Sequence, residues 1–214
     1  MPQLEALYGA IVNGNDKQAR AATIEALATG VAPMDLIQET MVPAMDEVGR
    51  LFEAEEYFVP ELLLAGRAMK AAMELIKPLL TASGQKMSAR VVIGTVKGDL
   101  HDIGKNIVAS MLEGGGFEVI DLGTDVSPQK FVAAVEERKP QFVCMSALLT
   151  TTMPAMRLTI DALQTAGLRT QVKVLIGGAP ISAQFAQEIG ADGYSDNANG
   201  AVGLVKSLLA KEAA

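Results

Sequence analysis

The chain has 214 residues, half of them hydrophobic, with one histidine, one cysteine, no tryptophan and a formal charge of −7. That charge argues against nucleic acid as a partner, since phosphate binding needs clustered Lys and Arg, and 4% aromatic residues offer few stacking surfaces. Mean hydropathy is +0.26, yet no stretch reaches the roughly 18 uncharged apolar residues of a spanning helix, so no membrane segment is expected.

The start, Met1-Pro2-Gln3-Leu4-Glu5-Ala6-Leu7, lacks the cationic and apolar regions of a signal peptide, and a lone cysteine cannot form an internal disulfide; a cytoplasmic protein is expected. Apolar recurrence at helical spacing predicts helices from Gln3 to Val12, Asp16 to Ala28, Pro33 to Glu53 and Pro60 to Leu80. Asn15 and Gly30 suit the caps of the second, and Pro33 and Pro60 stand near helix starts, where a missing N–H costs little. Residues 1–82 therefore read as a helical bundle. Residues 1–80 hold 12 acidic and 6 basic side chains, so nearly all the net charge lies there, which suits a docking face. Glu53, Glu55 and Glu56 read as a solvated turn.

Small and polar residues without period follow, and 83–89 reads as a linker. Beyond it, Arg90–Val96, Phe117–Leu122, Gln141–Ser146, Val172–Ile176 and a weaker Gly193–Ser195 alternate with helical segments. Runs such as Val91-Val92-Ile93 and Val174-Leu175-Ile176 suit strands covered on both faces. Residues 90–214 are thus expected to form a doubly wound, flavodoxin-like α/β domain with a five-stranded parallel sheet. Cys144, inside an apolar strand, reads as inert core.

Ligands of such sheets bind beyond the carboxyl ends of the strands. Three candidate loops fall there: Asp99-x-His101-x-x-Gly104 after the first strand, Ser146 to Thr152 after the third, and Gly177-Gly178-Ala179 after the fourth. An aspartate two positions before the single histidine suits a metal-ligating imidazole held by a carboxylate at its other nitrogen. Asp99 could equally cap the helix that follows. Paired glycines let backbone approach something bulky. No phosphate cradle rich in Ser and Thr follows the first strand, and no Gly-x-Gly-x-x-Gly is present, which weakens flavin and dinucleotide readings. One His and one Cys cannot supply a zinc site. A metal inside a large organic ring needs only one protein ligand.

The stretch Thr95-Val96-Lys97-Gly98-Asp99-Leu100-His101-Asp102-Ile103-Gly104-Lys105-Asn106 resembles the signature of the corrinoid (cobalamin) proteins, related to the cobalamin-binding region of methionine synthase. Ser146-x-Leu148 and Gly177-Gly178 follow at that family's distances. In the helical part, Val48-Gly49-Arg50-Leu51-Phe52 and Tyr57-Phe58-Val59-Pro60-Glu61-Leu62 look like the family's cap bundle. The resemblance implies a cobalamin or related corrinoid, its benzimidazole tail pulled off cobalt and threaded into the α/β domain, with His101 as axial ligand. Asp99 would bond His101, and Thr152, where the family often has serine, would complete a proton relay. Gly98, Leu100, Asp102, Ile103 and Gly104 belong to the same binding loop. Ser146, Leu148 and Thr150 would line the tail slot, Gly177, Gly178 and Ala179 would keep it open, and Tyr194 and Ala198 would close its far end. Phe52, Val59 and Leu62 would cover the upper, methyl-bearing face.

By this resemblance the protein is a methyl carrier. It would accept a methyl group on Co(I) through a substrate-specific methyltransferase and pass it, through an acceptor methyltransferase, to tetrahydrofolate or a thiol. A reductive activator protein would restore oxidised cobalt, and the linker would let the cap open. A cobalamin-binding sensor is the alternative, disfavoured by the lack of a basic DNA-binding part; the small subunit of an adenosylcobalamin mutase is disfavoured by the cap. The methyl donor leaves no legible residue.

Overall fold

The computed structural model describes residues 1–83 and 87–212; positions 84–86 of the expected linker lie outside the described residues. The chain divides into two compact units, Met1–Ser88 with Ser110–Phe117, and Ala89–Ala109 with the chain from Glu118 onward. Among the described residues no helix is long and apolar enough to cross a membrane.

The first unit is helical: α1 (Pro2–Val12), α2 (Asp16–Ala28), α3 (Pro33–Leu36), α4 (Val42–Glu53) and α5 (Val59–Ser83). Asn15 caps α2, its side chain accepting the Gln18 N–H at 3.1 Å. The span expected as one helix from Pro33 to Glu53 is broken by a π-helical turn at Ile37–Met41. Pro43 explains it: with no N–H to give, it breaks the i→i−4 ladder, and the Val42 N–H instead reaches five residues back to the Ile37 carbonyl. The bundle core is built from unbranched and branched aliphatics, with Leu7, Ile11, Leu36, Met45, Met69 and Met73 all buried. Three thioethers in that set fill irregular gaps between helices. Gly114 belongs to this unit, because a Cβ there would stand 2.6 Å from Met45 Cγ.

The second unit is a parallel five-stranded sheet in the order β2-β1-β3-β4-β5. Its strands are β1 (Arg90–Thr95), β2 (Glu118–Asp121), β3 (Phe142–Ser146), β4 (Lys173–Gly177) and β5 (Gly193–Tyr194). The helices α6 (Ile103–Gly114), α7 (Pro128–Arg138), α8 (Pro154–Thr165), α9 (Ala183–Ile189) and α10 (Ala198–Glu212) connect them or follow the last. Val91 to Thr95 are all buried, as a central parallel strand covered on both faces requires. Val92, Val143, Val174, Ile176, Phe131 and Leu163 share one core. The in-register row Ile93, Cys144, Leu175, Gly193 defines a single level across the sheet. The edge strand β2 is shorter than the expected Phe117–Leu122, since only Glu118–Asp121 pair with β1. The chain order reverses between β1 and β3, so the loops leaving these strands part and open a crevice at their carboxyl ends.

Candidate functional site

The loop after β1 carries His101 and is tied down at every turn. Thr95, buried in β1, donates its hydroxyl to the His101 carbonyl at 2.9 Å. Gly98 turns the chain at φ +86°. Its N–H donates to Asp125 Oδ1 at 2.8 Å, Lys97 Nζ donates to Asp125 Oδ2 at 2.9 Å, and the Asp125 N–H donates to the Asp99 carbonyl at 2.9 Å. Asp125 thus backs the loop from the β2–α7 connection. It does so at a φ of +53°, where Asn and Asp are tolerated better than most side chains. Its carboxyl is held below the usual range by the Gly98 N–H first and by Lys97 next.

Asp99 is fully buried and both its oxygens are engaged. Oδ1 meets His101 Nδ1 at 2.7 Å and accepts the His101 backbone N–H at 3.1 Å. Oδ2 accepts from the Leu148 N–H at 2.8 Å, the Leu149 N–H at 3.3 Å and the Thr152 hydroxyl at 2.8 Å. Burial alone pushes this carboxyl up. The Leu148 N–H, the His101 ring, Thr152 and the His101 N–H together outweigh it and hold the carboxyl well below the usual carboxylate range. An ionised carboxylate only accepts, so Nδ1 is the donor in this contact, and in the neutral ring Nε2 is the nitrogen with the lone pair. The His101 side chain is 52% exposed while Asp99 is buried, so the imidazole stands above its support. Thr152 Oγ1 lies 2.8 Å from both Asp99 Oδ2 and the Leu149 carbonyl, and its one proton can serve either acceptor.

A cavity of about 590 Å³ opens beside His101, within the size range of small-molecule and cofactor sites. Its lining includes Leu100, Asp102, Ile103 and Gly104, then Ser146 and Leu148, then Gly177, Gly178 and Ala179, with Ala198 on the far side. Thr152 and Gly98 lie behind the loop: Thr152 is buried, and a Cβ on Gly98 would meet Thr152 Cγ2 at 3.6 Å. Thr150 is exposed and is not part of the lining, and Tyr194 packs instead against the core that holds Val174 and Ile176. Its neighbours Ser195, Asp196 and Asn197 face the cavity. Phe52, Val59 and Leu62 belong to the helical unit, where Leu62 is buried, Phe52 is half-buried and Val59 is exposed.

Lys105 and Asp125 were not among the residues expected from the sequence. Lys105 is 2% exposed, lines the cavity and pairs with Asp121 at the end of β2, while its Nζ also donates to Asn106 Oδ1 at 2.6 Å. A basic residue directly after Gly104 in the first turn of a helix is a visible signal. Asp125 sits in an aperiodic loop and gives none.

A metal carried in its own ring fits this donor set. Among the described residues no group of three or more His, Cys, Asp or Glu could hold a bare ion, whereas a single imidazole with a free Nε2 can supply one axial ligand. Leu100 and Ile103 are 73% and 71% exposed beside it, an apolar rim suited to a broad ring face. A Cβ on Gly104 would meet no protein atom within 4 Å, so its missing side chain leaves space on the cavity side.

Residues 89–203 match the family described as B12 binding domain, and residues 3–77 match a second family with the same description. Trimethylamine corrinoid protein 1 of Methanosarcina mazei is 45% identical over 94% of each chain. Among solved structures, a cobalamin-binding protein from Desulfitobacterium hafniense superposes with a TM-score of 0.77 at 38% identity, covering 95% of this chain and 97% of that one. The methanol:cobalamin methyltransferase complex of Methanosarcina barkeri gives 0.87 at 30% identity, covering 98% of this chain and 80% of its counterpart.

Proposed function

The chain belongs to the B12-binding corrinoid proteins, and from that premise we propose that it is the methyl-carrying subunit of a cobalamin-dependent methyltransferase system. The observation that carries this reading is the 2.7 Å contact between Asp99 and His101 Nδ1 at the mouth of a cavity of about 590 Å³. When bound, a corrinoid supplies a cobalt centre that takes up a methyl group and gives it away. His101 would hold the metal through Nε2. Asp99 keeps the ring proton on Nδ1 and orients the imidazole. Thr152 can turn its hydroxyl from Asp99 to the Leu149 carbonyl, so the number of donors on the carboxylate can change without moving His101. Leu100, Ile103 and Leu148 would cover apolar ring surface and keep water from it.

Donor activation would then lie on a partner methyltransferase, a reading supported by the similarity to a chain of a methanol:cobalamin methyltransferase complex. The similarity to a trimethylamine corrinoid protein makes methylamines the favoured donors, ahead of the methanol named for the structural neighbour. A thiol or tetrahydrofolate on a second methyltransferase is the matching acceptor class, with a reductive activator to rescue oxidised cobalt. The acidic helical unit would steer such partners to dock.

The test is alkylation. The cobalamin-loaded protein, reduced with a low-potential reductant and given methyl iodide, should be methylated stoichiometrically, and the methyl group should pass to a thiol when the cognate transferase is added. A protein that binds cobalamin tightly but resists alkylation would contradict the carrier role and favour a sensor.

A further inference from the structure

The cavity beside His101 is graded from polar to apolar along its depth. At its mouth stand His101, Ser146, Ser195 and Asn197. Two residues further down the strands, roughly 7 Å deeper at the strand rise, the sheet offers Ile93, Cys144 and Leu175 in one register row. Val108 of α6 and Ala201 and Leu204 of α10 complete this floor. Leu175 and Leu204 both crowd Gly193, where a Cβ would lie 2.8 Å from Leu204 Cδ2 and 3.1 Å from Leu175 Cδ2, so the end of the row is filled by apolar side chains. The strands beneath are paired through their backbones on both sides. Among the described residues no buried side-chain nitrogen or oxygen lacks a partner. Among the six side chains of this floor Cys144 brings the one heteroatom, and burial pushes its thiol up to about 12, which leaves it a neutral and weak hydrogen-bond donor; at the β2 end of the same row the cavity-lining Lys105 is already held by Asp121 and Asn106.

Chemistry dictates what reaches this floor. A corrinoid carries its own lower ligand on a nucleotide tether from the face that His101 would occupy. Ligation by His101 would displace that base, and the cavity beside His101 is the space that would take up the tether. The ribose and phosphate would stay near the polar mouth, and the base would lie at the bottom. This step rests on the cobalamin reading given above.

We propose that the floor formed by Ile93, Cys144, Leu175, Val108, Ala201 and Leu204 selects corrinoids whose lower base is an arene without exocyclic N–H groups, and discriminates against purine bases. Adenine would bring an exocyclic amine whose hydrogens find no acceptor among these side chains, and a polar group buried without a partner is costly. A benzimidazole or a phenolic ring brings apolar edges instead.

The experiment titrates the unmodified full-length protein with three corrinoids that differ only at the lower base: dimethylbenzimidazole, a phenolic base and adenine. Dimethylbenzimidazole is a stronger cobalt ligand than adenine and costs more to displace, so tighter binding of that form cannot come from the displacement step, whereas the phenolic form has no base to displace. Both the phenolic and the benzimidazole form should bind tighter than the adenine form, and the benzimidazole margin, expected at about 10-fold, is the deciding one because no displacement cost can produce it. Equal affinities, or tighter binding of adenine, would overturn the selectivity while leaving the cobalamin site standing. Failure to bind any of the three would overturn the cobalamin reading itself, and this inference with it.

Discussion

Asparagine in place of Asp99 is expected to weaken cobalamin binding through His101 by about 10- to 100-fold. The side chain has two unequal sides. Oδ2 receives three donors, from Leu148, Leu149 and Thr152, whereas Oδ1 receives two, both from His101. An amide has one oxygen, and the more heavily loaded side claims it. Its NH2 group then faces His101 Nδ1, which must accept, so the ring proton moves to Nε2, the atom that has to be bare to ligate a metal. A spectroscopic titration with cobalamin reads the loss; unchanged affinity would contradict the role assigned to Asp99. The same substitution should alter acid stability. Because the folded-state pKa of Asp99 lies below its ordinary value of 3.8, the carboxylate stabilises the fold fully above that value, and the contribution disappears as pH falls below it. Urea unfolding between neutrality and about pH 3 should therefore fall less steeply in the asparagine variant than in the wild type.

The second large effect is expected at Gly178. Its φ of +130° is strained for any L side chain, and a Cβ would stand 1.9 Å from the Ala147 carbonyl oxygen. The obstacle is backbone at the tip of β3, held by the Ala147 N–H bond to the Gly177 carbonyl at 3.3 Å, so no rotamer change can relieve it. Gly178→Ala should cost about 3 kcal/mol or more in unfolding free energy and distort the cavity mouth. Gly104→Ala is the control, because its Cβ would meet no protein atom and stability should change little. Similar unfolding midpoints for the two variants would show that the β3 and β4 tips can part without cost.

Much of this was legible in the sequence, for a physical reason that differs from one element to the next. Buried parallel strands such as Arg90–Thr95 and Phe142–Ser146 announce themselves as continuous apolar runs, since both faces must be covered. The helix ends at Asn15 and the loop glycines are local chemistry and so can be read locally. The π turn at Ile37–Met41 was not anticipated, although its cause, Pro43, is in plain view; the apolar period continues through the break and conceals it. Leu62 and Val59 belong to one helix and differ only in which face is buried, which depends on neighbours distant in sequence. Tyr194 packs against the core while Ser195, just after the last strand, lines the cavity, and a two-residue strand has too little alternation to reveal which residue does which. Asp125 supports the His101 loop through three bonds across a gap of more than twenty residues, a role set by topology alone.

The central claim is that His101 ligates the cobalt of a bound corrinoid through Nε2 while Asp99 holds Nδ1. The most direct test is the electron paramagnetic resonance spectrum of the Co(II) form, recorded on protein reconstituted with cobalamin and containing histidine labelled with nitrogen-15. The account predicts an axial nitrogen splitting that changes with the histidine isotope and vanishes in His101→Ala. A splitting indifferent to the label and to the substitution would mean that the axial donor is the corrinoid's own base or a solvent molecule, and would contradict the assignment of His101.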